Sequence, residues 1–291
     1  MPGRYLVVSA PYIWLLIFFL APFVLVLKIS FSSAIIAQPP YTALFDWSAG
    51  LVPDIKGTLD SYRFLFWDDL YVVAYLNSIK IALISTIICL LIGYPMAYGI
   101  ARAPGNWRNV LLMLVILPFW TSFLIRVYAW IGILKNNGIL NNALIGLGLI
   151  DQPLPMLHSD FSVYVGIVYT YLPFMILPLY ANLARMDESL LEAASDLGCR
   201  PWKAFISVTL PLSFAGIVAG SMLVFIPAVG EFVIPELLGG PDTLMIGKIL
   251  WNEFFRNRDW PVASAVAVAM LVFLVIPIVI FQHFQAREDR D

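Results

Sequence analysis

Long runs of apolar residues constrain this chain more than any other feature of its sequence. A helix needs about 20 consecutive, mostly apolar residues to cross the hydrocarbon core of a bilayer. Runs of this kind lie at about 12–31, 78–101, 110–134, 161–183, 212–237 and 262–281. The sequence therefore predicts an all-α, polytopic membrane protein with six transmembrane helices, built as a single transmembrane domain over residues 1–291.

The composition supports this class and excludes others. Hydrophobic residues make up 61% of the chain and charged residues 12%, whereas a soluble domain has about 25% charged residues. The net charge of −2 argues against a nucleic-acid partner, because binding phosphates requires an excess of basic residues. Cys89 lies in an apolar run and Cys199 in a charged stretch, so we expect two free thiols.

Basic residues in short loops indicate which side of the membrane faces the cytoplasm. The short connection that holds Arg102 and Arg108 contains no acidic residue, and Arg4 precedes the first run. That run is longer than the core of a signal peptide, which spans about 7–15 residues, so we expect an uncleaved first helix. Both termini and the stretch 185–211 are then cytoplasmic, while the connections 32–77 and 239–261 are periplasmic.

The stretch 185–211 is charged and helical in pattern, although it lies between two apolar runs. Ser189 followed by Glu192 is a capping-box pattern that predicts a helix start, and Gly198 suits the left-handed residue after a helix. Pro201 suits the first turn of a second helix. Two interpretations remain open: an amphipathic elbow on the membrane surface, or a docking element for a cytoplasmic partner.

The spacing of particular residues in this stretch resembles the EAA loop of ABC importer permeases. The matching residues are Glu192, Ala193, Ala194, Gly198, Leu210 and Pro211, and Val208 stands where isoleucine is usual. The resemblance also covers GYPMA (93–97). The stretches WTSFLIRVYAWIGILKNNGILNN (120–142), FIPAVGEFVIPELLGG (225–240) and DWPVASA (259–265) look like the polyamine branch of that family. Within them, 128–142 looks closer to the putrescine-type permease than to the spermidine type.

The resemblance implies the type I ABC importer architecture in the bacterial inner membrane. It implies a second homologous permease subunit, a periplasmic polyamine-binding protein and two cytoplasmic ATPase subunits. The loop of each permease subunit would dock on an ATPase subunit, here through the matching residues of 185–211, which we call the coupling segment. ATP and Mg²⁺ would be used by those ATPases, and this chain would bind no cofactor. The implied function is uptake of putrescine or a related polyamine by alternating access. Uptake of spermidine or another small solute, and a membrane sensor or scaffold that uses the same loop, are the alternatives.

Candidate pathway residues follow from the chemistry of a polyamine, which needs carboxylates for its ammonium groups and aromatic walls for its methylenes. Glu231 and Glu236 lie where Pro227 and Gly230 interrupt the fifth run, and interrupted helices at membrane depth commonly line cavities. The aromatic candidates are Trp120, Tyr128, Trp130, Tyr169 and Phe232. The alternative places Glu236 in a periplasmic loop and the aromatic residues at the membrane interfaces.

Other charged residues point to no enzymatic chemistry. We expect Lys28 and Lys80 to reach the interface with their long side chains, and Arg126 either to do the same or to pair with a carboxylate of the fifth run. No glycine loop that would cradle phosphate is present. His158 and His283 fall on opposite sides of the membrane in this topology, so no metal site is predicted.

Overall fold

A computed structural model describes residues 2–46 and 54–288, and most of these are helical. The elements in chain order are α1 (Pro2–Leu15), a π-helical turn (Leu16–Leu20), α2 (Ala21–Ser30), β1 (Phe45–Asp46), β2 (Asp54–Ile55), α3 (Asp60–Trp67), α4 (Asp69–Arg102), α5 (Gly105–Ile116), a 3-10 turn (Leu117–Trp120), α6 (Phe123–Leu134), α7 (Ile139–Gly146), α8 (Asp160–Leu183), α9 (Ser189–Asp196), α10 (Pro201–Ala204), a π-helical turn (Phe205–Thr209), α11 (Leu210–Leu212), α12 (Phe214–Val229), α13 (Val233–Leu237), α14 (Ile246–Trp251), a π-helical turn (Asn252–Asn257) and α15 (Trp260–Glu288). Strands β1 and β2 form one short antiparallel pair.

Three continuous helices in the described part of the chain are long and apolar enough to cross a membrane. They are Ser9–Ser30, Asp69–Arg102 and Asp160–Leu183. These helices confirm the first, second and fourth predicted runs. The sixth run falls within α15, whose apolar part spans Trp260–Ile276.

The third predicted run is not one continuous helix. The pair Gly105–Trp120 and Phe123–Gly146 is bent by 91°. Pro118 lies in the first turn of the 3-10 helix, and Thr121 then takes an extended conformation while its hydroxyl donates to the Pro118 carbonyl oxygen at 2.8 Å. An apolar count does not register this break, because the residues on both sides of it are mostly apolar.

The fifth predicted run is also broken, and at two places. The pair Pro201–Leu212 and Phe214–Val229 is bent by 64°. Helix α12 then ends at Val229, and the predicted continuation to residue 237 is instead the separate helix α13. This second break lies at Gly230, just after Pro227, where the sequence predicts an interruption of the helix. With the two bent pairs counted as spans, the described residues hold up to five candidate crossings besides α15.

Proline accounts for the widened turns before Pro22 and Pro211. Proline has no N–H, and its ring clashes with the carbonyl four residues earlier in a regular α-helix. In the π-helical turns that precede these prolines, Ala21 donates to the carbonyl of Leu16 and Leu210 to that of Phe205. These longer bonds widen the helix locally and let it continue past the proline.

One compact unit combines the chain up to Tyr75 with the chain from Ile246 onward. Within it, α15 packs against α2 and α3. The Tyr75 hydroxyl donates to the carbonyl oxygen of Val266 at 2.7 Å. Asp259 caps α15, since its Oδ1 accepts the Val262 N–H at 3.0 Å.

The second compact unit comprises residues 76–245. Its core joins α4, α5, α8 and α12 through buried side chains that include Cys89, Ile100, Val115, Met175, Leu179 and Val224. Helix α12 approaches α8 closely, since a Cβ on Gly220 would lie 2.8 Å from the sulfur of Met175. Cys89 is buried in this core and Cys199 is half-buried, and both are free thiols as predicted.

Candidate functional site

The coupling segment begins its first helix differently from the capping-box prediction. Ser189 is already the first residue of α9. Glu188 precedes it, and its side chain does not cap the helix. Instead, Oδ1 of Asp187 accepts the Ser189 N–H at 3.0 Å. The predicted Ser189–Glu192 box is therefore wrong, because a capping residue must lie outside the helix. The N–H bond holds the pKa of the Asp187 carboxyl below its usual range, since it stabilises the carboxylate.

The turn between the two short helices is set by Gly198. Its φ is +75°, the left-handed conformation that favours glycine. The Gly198 N–H donates to the Ser195 carbonyl at 2.8 Å, and the Cys199 N–H donates to the Ala194 carbonyl at 2.9 Å. This pair of bonds is a Schellman motif, which satisfies the last carbonyls of α9 with backbone groups alone. The predicted helix end and the start of α10 at Pro201 are both confirmed.

The outer surface of the coupling segment is exposed in this chain. Glu192, Ala193 and Gly198 are exposed, and Ala194 is half-buried. Two large apolar side chains flank the turn, Leu197 at 89% and Trp202 at 72% exposure. Exposed apolar side chains of this size beside a turn are typical of a contact surface for another protein or for a membrane.

Glu231 lies in the break between α12 and α13, and its side chain is only 8% exposed. The hydroxyl of Tyr171 on α8 donates to Oε2 at 2.5 Å, and the Val233 N–H donates to Oε1 at 3.0 Å. The Ile234 N–H reaches the same Oε1 at 3.4 Å. The carboxylate therefore caps the start of α13 and ties it to α8. We call Glu231, Tyr171 and Val233 the Glu231 turn.

Helix α13 is held closely against α8. A Cβ on Gly166 would lie 2.7 Å from Cδ1 of Leu238, so glycine permits this approach. The Ser162 hydroxyl lies 2.6 Å from the Leu238 carbonyl oxygen, and the Thr243 hydroxyl donates to Oδ1 of Asp160 at 2.8 Å. These contacts fix the position in which the Glu231 turn is held.

The other predicted pathway residues are spread over the 3-10 turn before α6, α6 itself, α8 and the start of α13. The rings of Trp130 and Tyr169 meet edge to face with 5.4 Å between centroids. Trp120 and Tyr128 are 71% and 57% exposed. Among the described residues no hydrogen bond or ring contact joins either of them to Glu231. Glu236 and Phe232 are half-buried near the start of α13.

Sequence reasoning missed Tyr171, the residue that binds the Glu231 carboxylate. It lies two residues after Tyr169 in α8, but nothing in the local pattern distinguishes it from the other aromatic residues of that helix. Its partner lies 60 residues further along the chain. Only the packing of α13 on α8 brings the two together.

Arg126 does not form the ion pair with the fifth run that was one of its two predicted roles. Its guanidinium lies 5.1 Å from the centroid of the Phe119 ring and 5.9 Å from that of Phe123. No carboxylate among the described residues lies within ion-pair distance of it, and Glu231 is already bound by Tyr171 and backbone N–H groups. The arginine is therefore held by cation–π contacts.

The structure is that of a multi-pass helical membrane protein. It combines long apolar helices with bent helix pairs at the third and fifth runs and an exposed helix–turn–helix between α8 and α12. Residues 89–290 match the family described as the binding-protein-dependent transport system inner membrane component. The chain belongs to this family. It is thus a multi-pass permease subunit of the inner membrane and not an enzyme.

Similar proteins agree with this assignment. The chain is 41% identical over 275 residues to the spermidine/putrescine transport system permease protein PotB of Haemophilus influenzae, covering 94% of this chain and 91% of the relative. The protein of the same name from Escherichia coli K12 is 41% identical over 224 residues, covering 77% and 81%. The chain YdcU of E. coli K12, an inner membrane ABC transporter permease protein, is 31% identical, covering 79% and 76%.

The fold resembles that of solved ABC transporters. A chain of the bacterial ABC transporter involved in the import of the acidic polysaccharide alginate superposes with a TM-score of 0.66 at 19% identity, covering 98% of this chain and 96% of that one. A chain of the MetNI methionine ABC transporter superposes with a TM-score of 0.53, covering 78% and 96%. At these identities the likeness concerns the fold alone.

Proposed function

We propose that this permease subunit carries putrescine or a related polyamine into the cytoplasm by alternating access, driven by ATP hydrolysis in partner subunits. The observation that carries the proposal is the 41% identity, over 94% of the chain, to a permease named for spermidine and putrescine. That name covers both polyamines, so the preference for putrescine rests on the stretch 128–142. Spermidine and other small solutes are the competing substrates.

The coupling segment is the proposed contact with one of the two cytoplasmic ATPase subunits of the complex. Glu192, Ala193, Ala194 and Gly198 form its outer surface, with Leu210 and Pro211 at its return to the membrane. Support comes from the exposed Leu197 and Trp202 beside a turn held by backbone hydrogen bonds. A rigid short helix transmits movement, whereas a disordered loop would absorb it. ATP and Mg²⁺ belong to the ATPase partners in this proposal, and this chain binds no cofactor.

Six crossings and cytoplasmic termini complete the proposed topology, with each bent pair counted as one span and α15 as the sixth. The connections 32–77 and 239–261 then face the periplasm, where a polyamine-binding protein delivers substrate. A second homologous permease subunit encloses the pathway from the other side. The proposed topology treats residues 1–291 as a single permease domain.

The proposed pathway residues are Glu231, Glu236, Trp120, Tyr128, Trp130, Tyr169 and Phe232. Glu231 is the strongest, because it is a nearly buried carboxylate at an interrupted helix. Both of its oxygens accept hydrogen bonds in this conformation. We expect an ammonium group that binds this carboxylate to compete with the Tyr171 hydroxyl for Oε2, which links binding to a change at α8.

Uptake of labelled putrescine and spermidine in a strain that lacks only this chain tests the function. We expect ATP-dependent uptake of at least one polyamine to disappear and to return with the plasmid-borne gene. A sensor or scaffold would leave uptake unchanged when deleted, and that result would refute the proposal. Comparing the two labels decides between putrescine and spermidine.

Site-specific cross-linking tests the coupling segment separately. The two thiols are first removed by Cys89→Ser and Cys199→Ser, and Ala193→Cys then places one thiol on the exposed face of α9. We expect cross-links to an ATPase subunit in the assembled complex. Labelling of Ala193→Cys from the periplasmic side alone would place the segment on the wrong face and overturn the assignment.

A further inference from the structure

The cytoplasmic end of α4 carries three side chains on one face that contact the region of the coupling segment. Tyr94, Tyr98 and Arg102 are spaced four residues apart, so they lie along one side of the helix. Tyr94 is buried, and the other two are half-buried. We call these three residues the α4 clamp.

Arg102 holds the start of the coupling segment. Its guanidinium forms an ion pair with the carboxylate of Glu188, the residue immediately before α9. The same guanidinium lies 5.6 Å from the centroid of the Tyr98 ring. The arginine is therefore oriented by the tyrosine below it while it contacts Glu188.

Phe205 holds the middle of the segment against the same face of α4. Its ring meets Tyr94 edge-on at 5.6 Å between centroids and 89° between planes. It meets Tyr98 in the same way at 6.1 Å and 87°. Phe205 packs against the core cluster that joins α4 with α8 and α12, so this contact is part of the packed interior.

Tyr94 also holds the end of the segment. Its hydroxyl oxygen lies 2.8 Å from Oγ of Ser213, which is the residue at the 64° bend before α12. The Ser213 hydroxyl donates to the Leu210 carbonyl oxygen at 3.0 Å. Since serine has one hydroxyl proton, Tyr94 donates to Ser213. The bond thus continues from α4 through Ser213 to Leu210 of the coupling segment.

We propose that the α4 clamp makes the cytoplasmic end of α4 move together with the coupling segment, so that Tyr94, Tyr98 and Arg102 are positioning residues for coupled transport. This inference rests on the proposed function of the coupling segment. Helices α8 and α12 are joined to the segment by the chain itself, but α4 is not. Side-chain contacts must therefore carry any movement from the segment to α4.

At the Arg102–Glu188 contact, the geometry favours a role in positioning over a role in stability. The Glu188 side chain is 71% exposed, and an ion pair with such an exposed partner contributes little to stability. For positioning, the number of contacts matters, because a single contact would leave the coupling segment free to rotate relative to α4. Contacts at the start, middle and end of the segment fix its orientation relative to α4.

A charge exchange tests the clamp in the complete transporter. The permease pair, the ATPase subunits and the binding protein are reconstituted in vesicles, and ATP hydrolysed per polyamine imported is measured. We expect Arg102→Glu alone and Glu188→Arg alone to raise this ratio about threefold, the size expected for losing an exposed ion pair. The double variant should return the ratio toward that of the unmodified protein.

Two further variants separate positioning from folding. Tyr94→Phe removes the bond to Ser213 while keeping the ring against Phe205, and we expect it to raise the ratio about fivefold. Arg108→Glu is the matched control, because Arg108 is also a basic residue beside the end of α4, but it lies in the first turn of α5 and bonds the Ala101 carbonyl. We expect Arg108→Glu to leave the ratio unchanged.

The outcomes distinguish this inference from the proposed function. An unmodified complex without ATP-dependent uptake would refute the proposed function itself. A transporting complex in which the single variants keep the normal ratio would overturn the clamp alone. A lower yield of assembled complex with an unchanged ratio, or no recovery in the double variant, would also overturn it.

Discussion

The coupling segment and the Glu231 turn are both breaks between helices, but they are stabilised in opposite ways. At Gly198 the backbone closes the turn by itself, and the residue is exposed. At Glu231 a nearly buried side chain closes the turn, with a hydroxyl from another helix as its partner. The first break presents its surface to solvent, whereas the second is fixed by the core.

This difference suggests how the two breaks contribute to one transport cycle. A turn closed by local backbone bonds keeps its shape when the helices around it move, which suits a contact gripped by a motor. A turn closed by a side chain of another helix changes when that helix moves. The Glu231 turn is therefore the one that we expect to respond to the transport cycle.

The largest effect is expected at the buried break. Glu231→Ala removes the cap of α13 and leaves the Tyr171 hydroxyl without its acceptor, which should lower stability by about 3 kcal/mol. Thermal unfolding of the purified permease measures this loss.

Glu231→Gln is the matched control for that experiment. Its amide oxygen can still accept the Val233 N–H, so we expect most of the stability to remain while polyamine uptake falls. Unchanged transport kinetics in Glu231→Gln would show that the carboxylate has no part in the pathway.

A smaller effect is expected at the exposed break. Gly198→Asp places a side chain in the left-handed region, which aspartate tolerates better than most residues, and adds a negative charge at the unfavourable end of α9. Together these two effects cost roughly 1–2 kcal/mol. We expect normal membrane insertion with uptake lowered about tenfold, since 1.4 kcal/mol corresponds to that factor. Membrane content by immunoblot is compared with uptake.

Gly198→Asn separates conformation from charge, because asparagine tolerates this conformation and is neutral. It should retain more uptake than Gly198→Asp. Wild-type uptake in Gly198→Asp would contradict the assignment of the coupling segment.

Tyr171→Phe should sharpen the comparison with a still smaller change. The ring remains in place while Glu231 loses one of its hydrogen bonds, so stability should fall by about 1 kcal/mol. The freed oxygen should then be open to an ammonium group, and we expect the apparent KM for polyamine to decrease. Tyr169→Phe is the control. An unchanged KM in Tyr171→Phe would mean that the hydroxyl does not compete with substrate.

The smallest effect concerns Asp187 at the start of α9. Its pKa is lowered in the folded protein, so its stabilising effect is fully present above the unfolded pKa of about 3.9 and is lost as pH falls through the lower folded pKa. Asp187→Asn should remove this acid-dependent weakening, and at neutral pH it should leave the first turn of α9 slightly less protected, because the carboxylate that stabilises the turn is gone. Hydrogen exchange of the first turn of α9 at acidic and neutral pH measures the effect. Equal pH dependence in both proteins would contradict it.

Local sequence was sufficient where the structure is held by local bonds. The runs at 12–31, 78–101 and 161–183, the helix end at Gly198 and the interruption near Gly230 were all predictable, because apolar length, glycine and proline act on their own neighbourhood. The break at residues 117–122 was predictable in principle from Pro118. It was missed because the residues are mostly apolar on both sides of it.

By itself, the sequence determined that this chain is a helical membrane protein and where its coupling turn lies, since bilayer thickness and backbone conformation are set residue by residue. The tertiary structure decided which side chain meets Glu231, that Arg126 rests on aromatic rings, and that three residues of α4 hold the coupling segment. Those pairings join residues far apart in the chain. No local pattern encodes them, and only the packing of the helices brings them within bonding distance.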